Sequence, residues 1–282
     1  MTIRSDALWL ITGTSSGLGR SLARAVIAQG YRLLATARDV ASLEALTALA
    51  PDRVRALALD VRDPRAVKAA VEAGESWGGI DVLVNNAGHG YLAAVEEGED
   101  DKIREVFEVN FFAAAALIRA VLPGMRHRRR GHIVNVTSVA GLVGRITTAY
   151  YAASKFALEG LSDGLADEVK EFGIEVTLVE PGPIRTAFAG RSIRQSPVHP
   201  AYERTAGVRR KSHLASDGRQ AGDPDKMASL MIAAIQHATP PRRLILGNAA
   251  LAVVSAKLDQ VRSDLEAYRD ASSKTDMDDA PA

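Results

Sequence analysis

Apolar residues fall into two alternating patterns along this chain. Short unbroken apolar runs occupy residues 8–12 (LWLIT), 32–37 (RLLATA), 54–59 (VRALAL), 81–85 (DVLVN), 132–137 (HIVNVT), 175–180 (EVTLVE) and 242–246 (RRLIL). An unbroken run, in contrast to an alternating one, marks a strand buried on both faces, the habit of parallel sheets. Stretches of helical character lie between them, at 17–29, 40–49, 64–74, 101–128, 148–171, 224–237 and 248–268. Strands alternating with helices predict right-handed βαβ units, and so an α/β fold: a doubly wound parallel sheet of about seven strands with helices on both faces.

One stretch breaks the rhythm. Residues 187–222 are polar and irregular, and they end at Asp223-Pro224, which reads as N-cap and first residue of a helix. A long irregular insertion in a compact domain is usually functional or disordered. No proline- or glycine-rich linker divides the chain, so residues 1–270 are expected to form a single domain and 271–282 a flexible tail.

Composition narrows the function. Lys plus Arg (35) nearly cancels Asp plus Glu (34), which gives no electrostatic reason to expect nucleic acid or an anionic membrane as partner. The dense basic run at 126–132 (RHRRRGH) suits a solvated helix C-terminus. The absence of cysteine excludes disulfides and thiolate chemistry and suits a reducing cytoplasm. The six histidines show no metal-ligand spacing with carboxylates, so no metal is expected. The apolar run near the N-terminus is too short for a signal core, and no other stretch approaches membrane-spanning length; a soluble, cytoplasmic protein is expected.

The sequence ITGTSSGLGR (11–20) follows the first strand and opens a helix. Gly13, Gly17 and Gly19 stand where a strand-to-helix turn must let backbone approach a pyrophosphate at the helix N-terminus. At the end of the second strand, where an acidic residue would read a ribose 2′-hydroxyl, the chain has Ala37 followed by Arg38. A guanidinium there suits a 2′-phosphate, so NADP(H) is expected over NAD(H), although Asp39 could neutralise Arg38.

AYYAASK (149–155) places two tyrosines before a lysine. On a helix, residues four apart share a face and residues five apart do not, which selects Tyr151 over Tyr150 as the partner of Lys155. A lysine ammonium one turn away favours the phenolate and is expected to lower the tyrosine pKa. Ser138 ends a buried strand at the carboxyl edge of the sheet, where doubly wound folds bind ligands. Asn-Asn-Ala-Gly (85–88) ends another strand, and Asn110 is an amide in an otherwise apolar helix, where it needs partners.

With these motifs in this order, nearly the whole chain resembles the short-chain dehydrogenases/reductases, and more weakly their hydroxysteroid- and retinol-dehydrogenase-like branch. The resemblance implies a Rossmann-type sheet and a catalytic tetrad of Asn110, Ser138, Tyr151 and Lys155. Its nucleotide-loop positions are Gly13, Ser15, Ser16, Gly17, Leu18 and Gly19, with Arg38 beyond the second strand. Asp60 and Val61 correspond to the adenine contact, Asn86, Ala87 and Gly88 to the strand-four motif, and Pro181, Gly182, Ile184 and Thr186 to the segment holding the nicotinamide carboxamide. Tyr151 and Lys155 also contact the cofactor in this pattern. Ser16 departs from the basic residue that some NADP-preferring members carry.

What the resemblance implies is hydride transfer between NADP(H) and a small-molecule carbonyl or secondary alcohol, with Tyr151 as general acid/base and Ser138 on the substrate oxygen. Lys155 would hold the nicotinamide ribose, and Asn110 a relay water. It also implies a lid at 187–222 and a homodimer or homotetramer built on the two long helices. His89, Tyr91, Val143, Arg145 and Phe188 are candidates to line the substrate pocket. Two other readings, a non-catalytic NAD(P)-sensing regulator and a lyase or dehalogenase on the same fold, have no use for the complete set of motifs.

Overall fold

All seven apolar runs are strands of one parallel sheet. The structure, a computed structural model, describes residues 3–277. In chain order the elements are β1 (Leu8–Ile11), α1 (Gly17–Ala28), β2 (Arg32–Ala37), α2 (Glu44–Thr47), β3 (Val54–Ala58), α3 (Pro64–Ser76), β4 (Val82–Asn85), β5 (Gly90–Leu92), α4 (Asp100–Phe107), α5 (Ala113–Arg128), β6 (Gly131–Val136) and α6 (Ala149–Val169). They continue with β7 (Ile174–Pro181), α7 (Phe188–Arg191), β8 (Ile193–Gln195), α8 (Val208–Ala215), α9 (Pro224–Gln236), β9 (Arg243–Leu246) and α10 (Asn248–Ser272).

Period-two geometry explains the unbroken runs. Trp9 and Ile11 of β1 face one core with Leu33, Val84 and Val134, closed by Leu22 and Val26 of α1 and Met231 and Ile235 of α9. Leu8 and Leu10 face the opposite core with Leu34, Leu83 and Ile133, closed by Val67 of α3, Leu117 and Val121 of α5 and Leu165 of α6. Each fully buried aliphatic side chain stabilises the fold by roughly 1.5–3 kcal/mol. Both faces are apolar because both are covered by helices.

The strand order β3-β2-β1-β4-β6-β7-β9 reverses direction between β1 and β4. Chain leaving the two carboxyl ends diverges there, opening the crevice where such sheets bind ligands.

Several expectations change in detail. The helix expected at 101–128 is α4 and α5 joined by one π-helical turn, Glu108–Phe112. By length and composition this 29-residue stretch, Asp100–Arg128, would pass for a membrane span, contrary to the sequence reading. Its buried stripe, Leu117, Ile118, Val121 and Met125, belongs to the second core. The helix expected at 40–49 is a 3₁₀ turn, Val40–Leu43, capped by Asp39 and followed by α2. Asp223 does cap α9, accepting from the amides of Asp225 and Lys226, with Pro224 in the first turn. In the basic run, Arg128 pairs with Glu75, Arg130 with Asp81, and Arg129 turns the chain with φ of 52°.

The 187–222 stretch, expected to be irregular, holds α7, β8 and α8. β8 pairs in parallel with β5, and the hydroxyls of Tyr91 and Ser196 bond each other. Below them Glu97 and Arg210 form a buried ion pair. The Glu97 carboxylate also accepts from the amides of Ala94 (2.7 Å) and His199 (2.9 Å). Tyr91 and Ser196, like Glu97 and Arg210, lie about a hundred residues apart, so no local pattern reveals these pairs. α10 runs on to Ser272, past the predicted start of the tail at 271, and residues 278–282 lie outside the described residues.

Candidate active site

The crevice between β1 and β4 is tied together by one threonine and one asparagine. Thr12 Oγ1 accepts from the amides of Asn86 (3.0 Å) and Ala87 (2.9 Å). Asn86 Nδ2 returns bonds to the carbonyls of Thr12 (2.8 Å) and Gly13 (3.2 Å). Gly13 and Gly17 have φ of 71° and 58°, a region that side chains with a Cβ rarely adopt. At Gly19 the constraint is space: a Cβ would lie 2.3 Å from Asn86 Nδ2 and 2.4 Å from the Gly13 carbonyl.

Just beyond this loop α1 begins at Gly17, its N-cap Ser16 making no side-chain cap bond and its first turn holding no acidic residue. Free amides and a positive helix end form a site for an anion. The glycine cradle and this uncapped helix together fit a dinucleotide pyrophosphate. Ser15 lies within the loop, Leu18 is in the first turn of α1 with its side chain in the core, and Thr186 faces Gly17, 3.5 Å from where a Cβ would be. Gly182 donates to the Leu246 carbonyl at 2.9 Å, and Ile184 bridges to Gly222, which fixes the Pro181–Thr186 segment at the crevice.

Arg38 is exposed at the end of β2. Asp39 does not take it: its carboxylate accepts from the Ala41 amide at 3.1 Å. Asp60, followed by the partly buried Val61, is held by Arg62, whose Nη2 lies 2.7 Å from Oδ2. Hydrogen bonding from Arg62 holds the Asp60 carboxyl down at about 2.

The four tetrad candidates converge at the carboxyl edge of β4 and β6. The π-helical turn carries Asn110 inward, where Oδ1 accepts from the His89 amide (3.1 Å) and Nδ2 donates to the His89 carbonyl (3.0 Å) and to Ser154 Oγ (3.1 Å). Such turns often occur at functional sites. A Cβ on Gly88 would lie 3.0 Å from Asn110 Oδ1 and 3.6 Å from Lys155 Nζ, so a side chain there would crowd both. Lys155 is buried and donates to the Val136 carbonyl at 2.9 Å. Ser138 caps the turn at 139–141, its Oγ accepting from the Ala140 amide.

Tyr151 and Tyr150 part as helical spacing requires. Lys155 Nζ lies 5.9 Å from the centre of the Tyr151 ring. The Tyr150 hydroxyl instead donates to the Val95 carbonyl at 2.7 Å and its ring stacks on Tyr91. One expectation is corrected here: burial pushes Tyr151 up to about 12, and the opposing influence is a hydrogen bond with Ser138, not the Lys155 charge. Burial also pulls Lys155 down to about 8, against the Glu159 charge. Removal from water outweighs a lysine that does not touch the phenol.

The substrate candidates separate. Phe188 lies against Tyr151, ring centres 6.2 Å apart. The backbone of His89 is held by Asn110, and burial lowers its imidazole pKa. Val143 is partly buried and Arg145 exposed on the loop before α6. Tyr91 is 1% exposed, and its hydroxyl bonds Ser196 and accepts from the Glu99 amide, so it packs against the 187–222 stretch.

Residues 7–196 match the sequence profile described as short chain dehydrogenase. The chain belongs to this family. It is 36% identical to oxidoreductase BOA17 of Botryotinia fuckeliana, over 94% of this chain and 97% of that one. It is 42% identical to human retinol dehydrogenase 8, over 66% of this chain and 61% of that one. Among solved structures, a short-chain dehydrogenase from Streptomyces avermitilis shares 40% identity with a TM-score of 0.90, covering 96% of this chain and all of that one. A Burkholderia phymatum member in complex with NAD superposes with a TM-score of 0.80 at 25% identity, covering 92% and 95%. An alcohol dehydrogenase from Thermococcus sibiricus complexed with 5-hydroxy-NADP does so at 0.70 and 25%, covering 85% and 95%.

Sequence reasoning missed the supports of this short-chain dehydrogenase's site. Ser154, which accepts from Asn110, directly precedes Lys155, and its contact with Asn110 joins residues 44 apart in sequence. Glu159 lies one turn beyond Lys155 and is buried, and Glu180 is buried next to Pro181; both meet Arg243 of β9. Two glutamates in apolar runs were the available signal.

Proposed function

We propose that this short-chain dehydrogenase transfers a hydride between NADP(H) and a small-molecule carbonyl or secondary alcohol, with Tyr151 as general acid/base. The observation that carries this reading is the convergence on Tyr151 of Ser138, Lys155 one turn away and Asn110 behind. The crevice would hold a nicotinamide cofactor, which would supply or accept the hydride, while the chain orients the reactants and handles the proton.

The uncapped amides of α1 and the glycines at 13, 17 and 19 would hold the pyrophosphate. Ser138 would stabilise the charge that develops on the substrate oxygen. Tyr151, protonated at neutral pH, would donate to that oxygen in reduction and receive the proton in oxidation. Lys155 would supply positive charge beneath the phenol, and Asn110, bonded to the His89 backbone and Ser154, would keep that end of the site rigid. The preference for NADP(H) rests on Arg38, exposed at the strand end with Asp39 turned away. The rim at 187–222, with Phe188 against Tyr151, would cover the substrate.

The test is spectrophotometric. Purified protein with NADPH or NADH is offered a panel of ketones and aldehydes, and loss of nicotinamide absorbance is followed. Turnover with NADPH on at least one carbonyl is expected. Tight cofactor binding without turnover on any substrate would point instead to a sensing role.

A further inference from the structure

Directly behind the active site, two buried carboxyl groups share one guanidinium. Arg243 Nη1 bonds Glu159 of α6 and, at 2.9 Å, Oε1 of Glu180 on β7, and its Nη2 reaches Asp163 at 2.6 Å. The Glu159 and Glu180 side chains are 5% and 0% exposed, and both carboxyl groups reach the same Nη1 of Arg243. Each keeps one oxygen with no donor, Oε1 of Glu159 and Oε2 of Glu180. Two carboxylates on one nitrogen in a buried setting repel strongly, and one proton held between them relieves that repulsion.

This pair abuts the site on two sides. A Cβ on Gly141 would lie 2.9 Å from Glu159 Cγ, so Glu159 packs under the turn that follows Ser138. Glu180 precedes Pro181, whose carbonyl accepts from Ser138 Oγ at 3.5 Å. Lys155 is one turn from Glu159 on the same helix, with the Val136 carbonyl as its protein acceptor. Other groups facing the cluster are the Thr137 hydroxyl from the end of β6, Asp163 of α6 and, farther out, the exposed Arg242–Asp167 pair. The Lys155 charge also acts on His89.

We propose that Glu159 and Glu180 hold a single proton between them and that Glu159, as the anionic member, is the counter-ion that keeps Lys155 charged beneath Tyr151. Glu159 is thus a positioning residue acting through Lys155, a role that rests on Tyr151 being the acid/base group. The electrostatics agree: burial, with the Asp163 charge, holds Glu159 above the ordinary carboxylate range, burial and the Glu159 charge do the same to Glu180, and Glu159 is the charge opposing the fall of the Lys155 pKa.

Two isosteric variants predict different results. Glu159→Gln removes the counter-ion, so Lys155 loses its proton at lower pH. The alkaline limb of kcat/KM for carbonyl reduction, where Lys155 loses its charge, then moves down by about one pH unit. Glu180→Gln replaces the protonated member by a neutral amide, so Glu159 stays anionic and the limb stays in place. A downward shift in Glu159→Gln with none in Glu180→Gln supports the proposal, and any other pattern overturns it. Infrared spectroscopy of the cofactor-free protein provides an arm independent of turnover. A protonated-carboxyl band is expected at neutral pH and is lost in Glu180→Gln; its absence from the unsubstituted protein overturns the shared proton. Should Tyr151→Phe remain active, the acid/base reading fails while this arm still decides the pair.

Discussion

Lys155 and Tyr151 stand one turn apart on α6, the lysine nitrogen 5.9 Å from the centre of the phenol ring. Tyr150, one residue earlier, sends its hydroxyl to the Val95 carbonyl and leaves the site. Tyr151→Phe is therefore expected to lower kcat at least about a hundredfold, the usual worth of general acid/base catalysis, with cofactor affinity retained. Tyr150→Phe loses one neutral hydrogen bond, which costs about 1 kcal/mol of stability and leaves turnover substantially intact. Steady-state kinetics of the pair decide the assignment, and the reverse pattern would refute it.

The pH profile follows from the environment of the phenol. With Tyr151 pushed up to about 12 by burial, it is a proton donor throughout the neutral range. Carbonyl reduction is expected to be flat between about pH 6 and 8, while alcohol oxidation, which needs the phenolate, rises with pH. Initial rates in both directions across buffers test this; oxidation fastest in acid would contradict it.

Arg38 distinguishes the cofactors. If its guanidinium bonds a 2′-phosphate, Arg38→Ala weakens NADPH binding by about tenfold to a hundredfold, the worth of a charge-assisted bond, and leaves NADH nearly unchanged. Titration calorimetry with both cofactors measures the ratio. Equal losses would show that Arg38 does not read the phosphate.

The strands were legible because burial on both faces writes itself into the sequence as unbroken apolar runs, and all seven were found. Tyr151 was legible because helical spacing is a local rule. Glu97 with Arg210, and Glu159 with Glu180 and Arg243, were not, since each contact joins residues far apart in sequence. The state of Tyr151 was misjudged for a related reason: spacing reveals a neighbouring charge but not how much water the fold removes. The π-helical turn at Asn110 was also invisible, because it extends a helix without changing its apolar pattern.

Gly19 tests the cradle. A methyl there would lie 2.3 Å from Asn86 Nδ2 and 2.4 Å from the Gly13 carbonyl, and neither can retreat without breaking the tie between β1 and β4. Gly19→Ala is expected to cost about 1–3 kcal/mol in stability, as overpacking does. It should also abolish cofactor binding measured by fluorescence. Binding at the original affinity would show that the loop can shift and that the cofactor does not lie against it.

Lys155 carries a cost that its function explains. Burial lowers its pKa from 10.5 to about 8, so below about pH 8 the folded protein holds a charge that the unfolded chain carries more easily. That amounts to about 3 kcal/mol against folding at neutral pH, relieved as pH rises from about 8 towards 10.5, where the folded state gives up the proton first. Lys155→Met keeps the length and removes the charge, but leaves the Val136 carbonyl without its donor, a loss of about 1 kcal/mol. The net expectation is a gain of about 2 kcal/mol at pH 7 in urea unfolding, fading by about pH 10, together with loss of turnover. A variant less stable than the parent at pH 7 would mean that the lysine is already compensated in the fold.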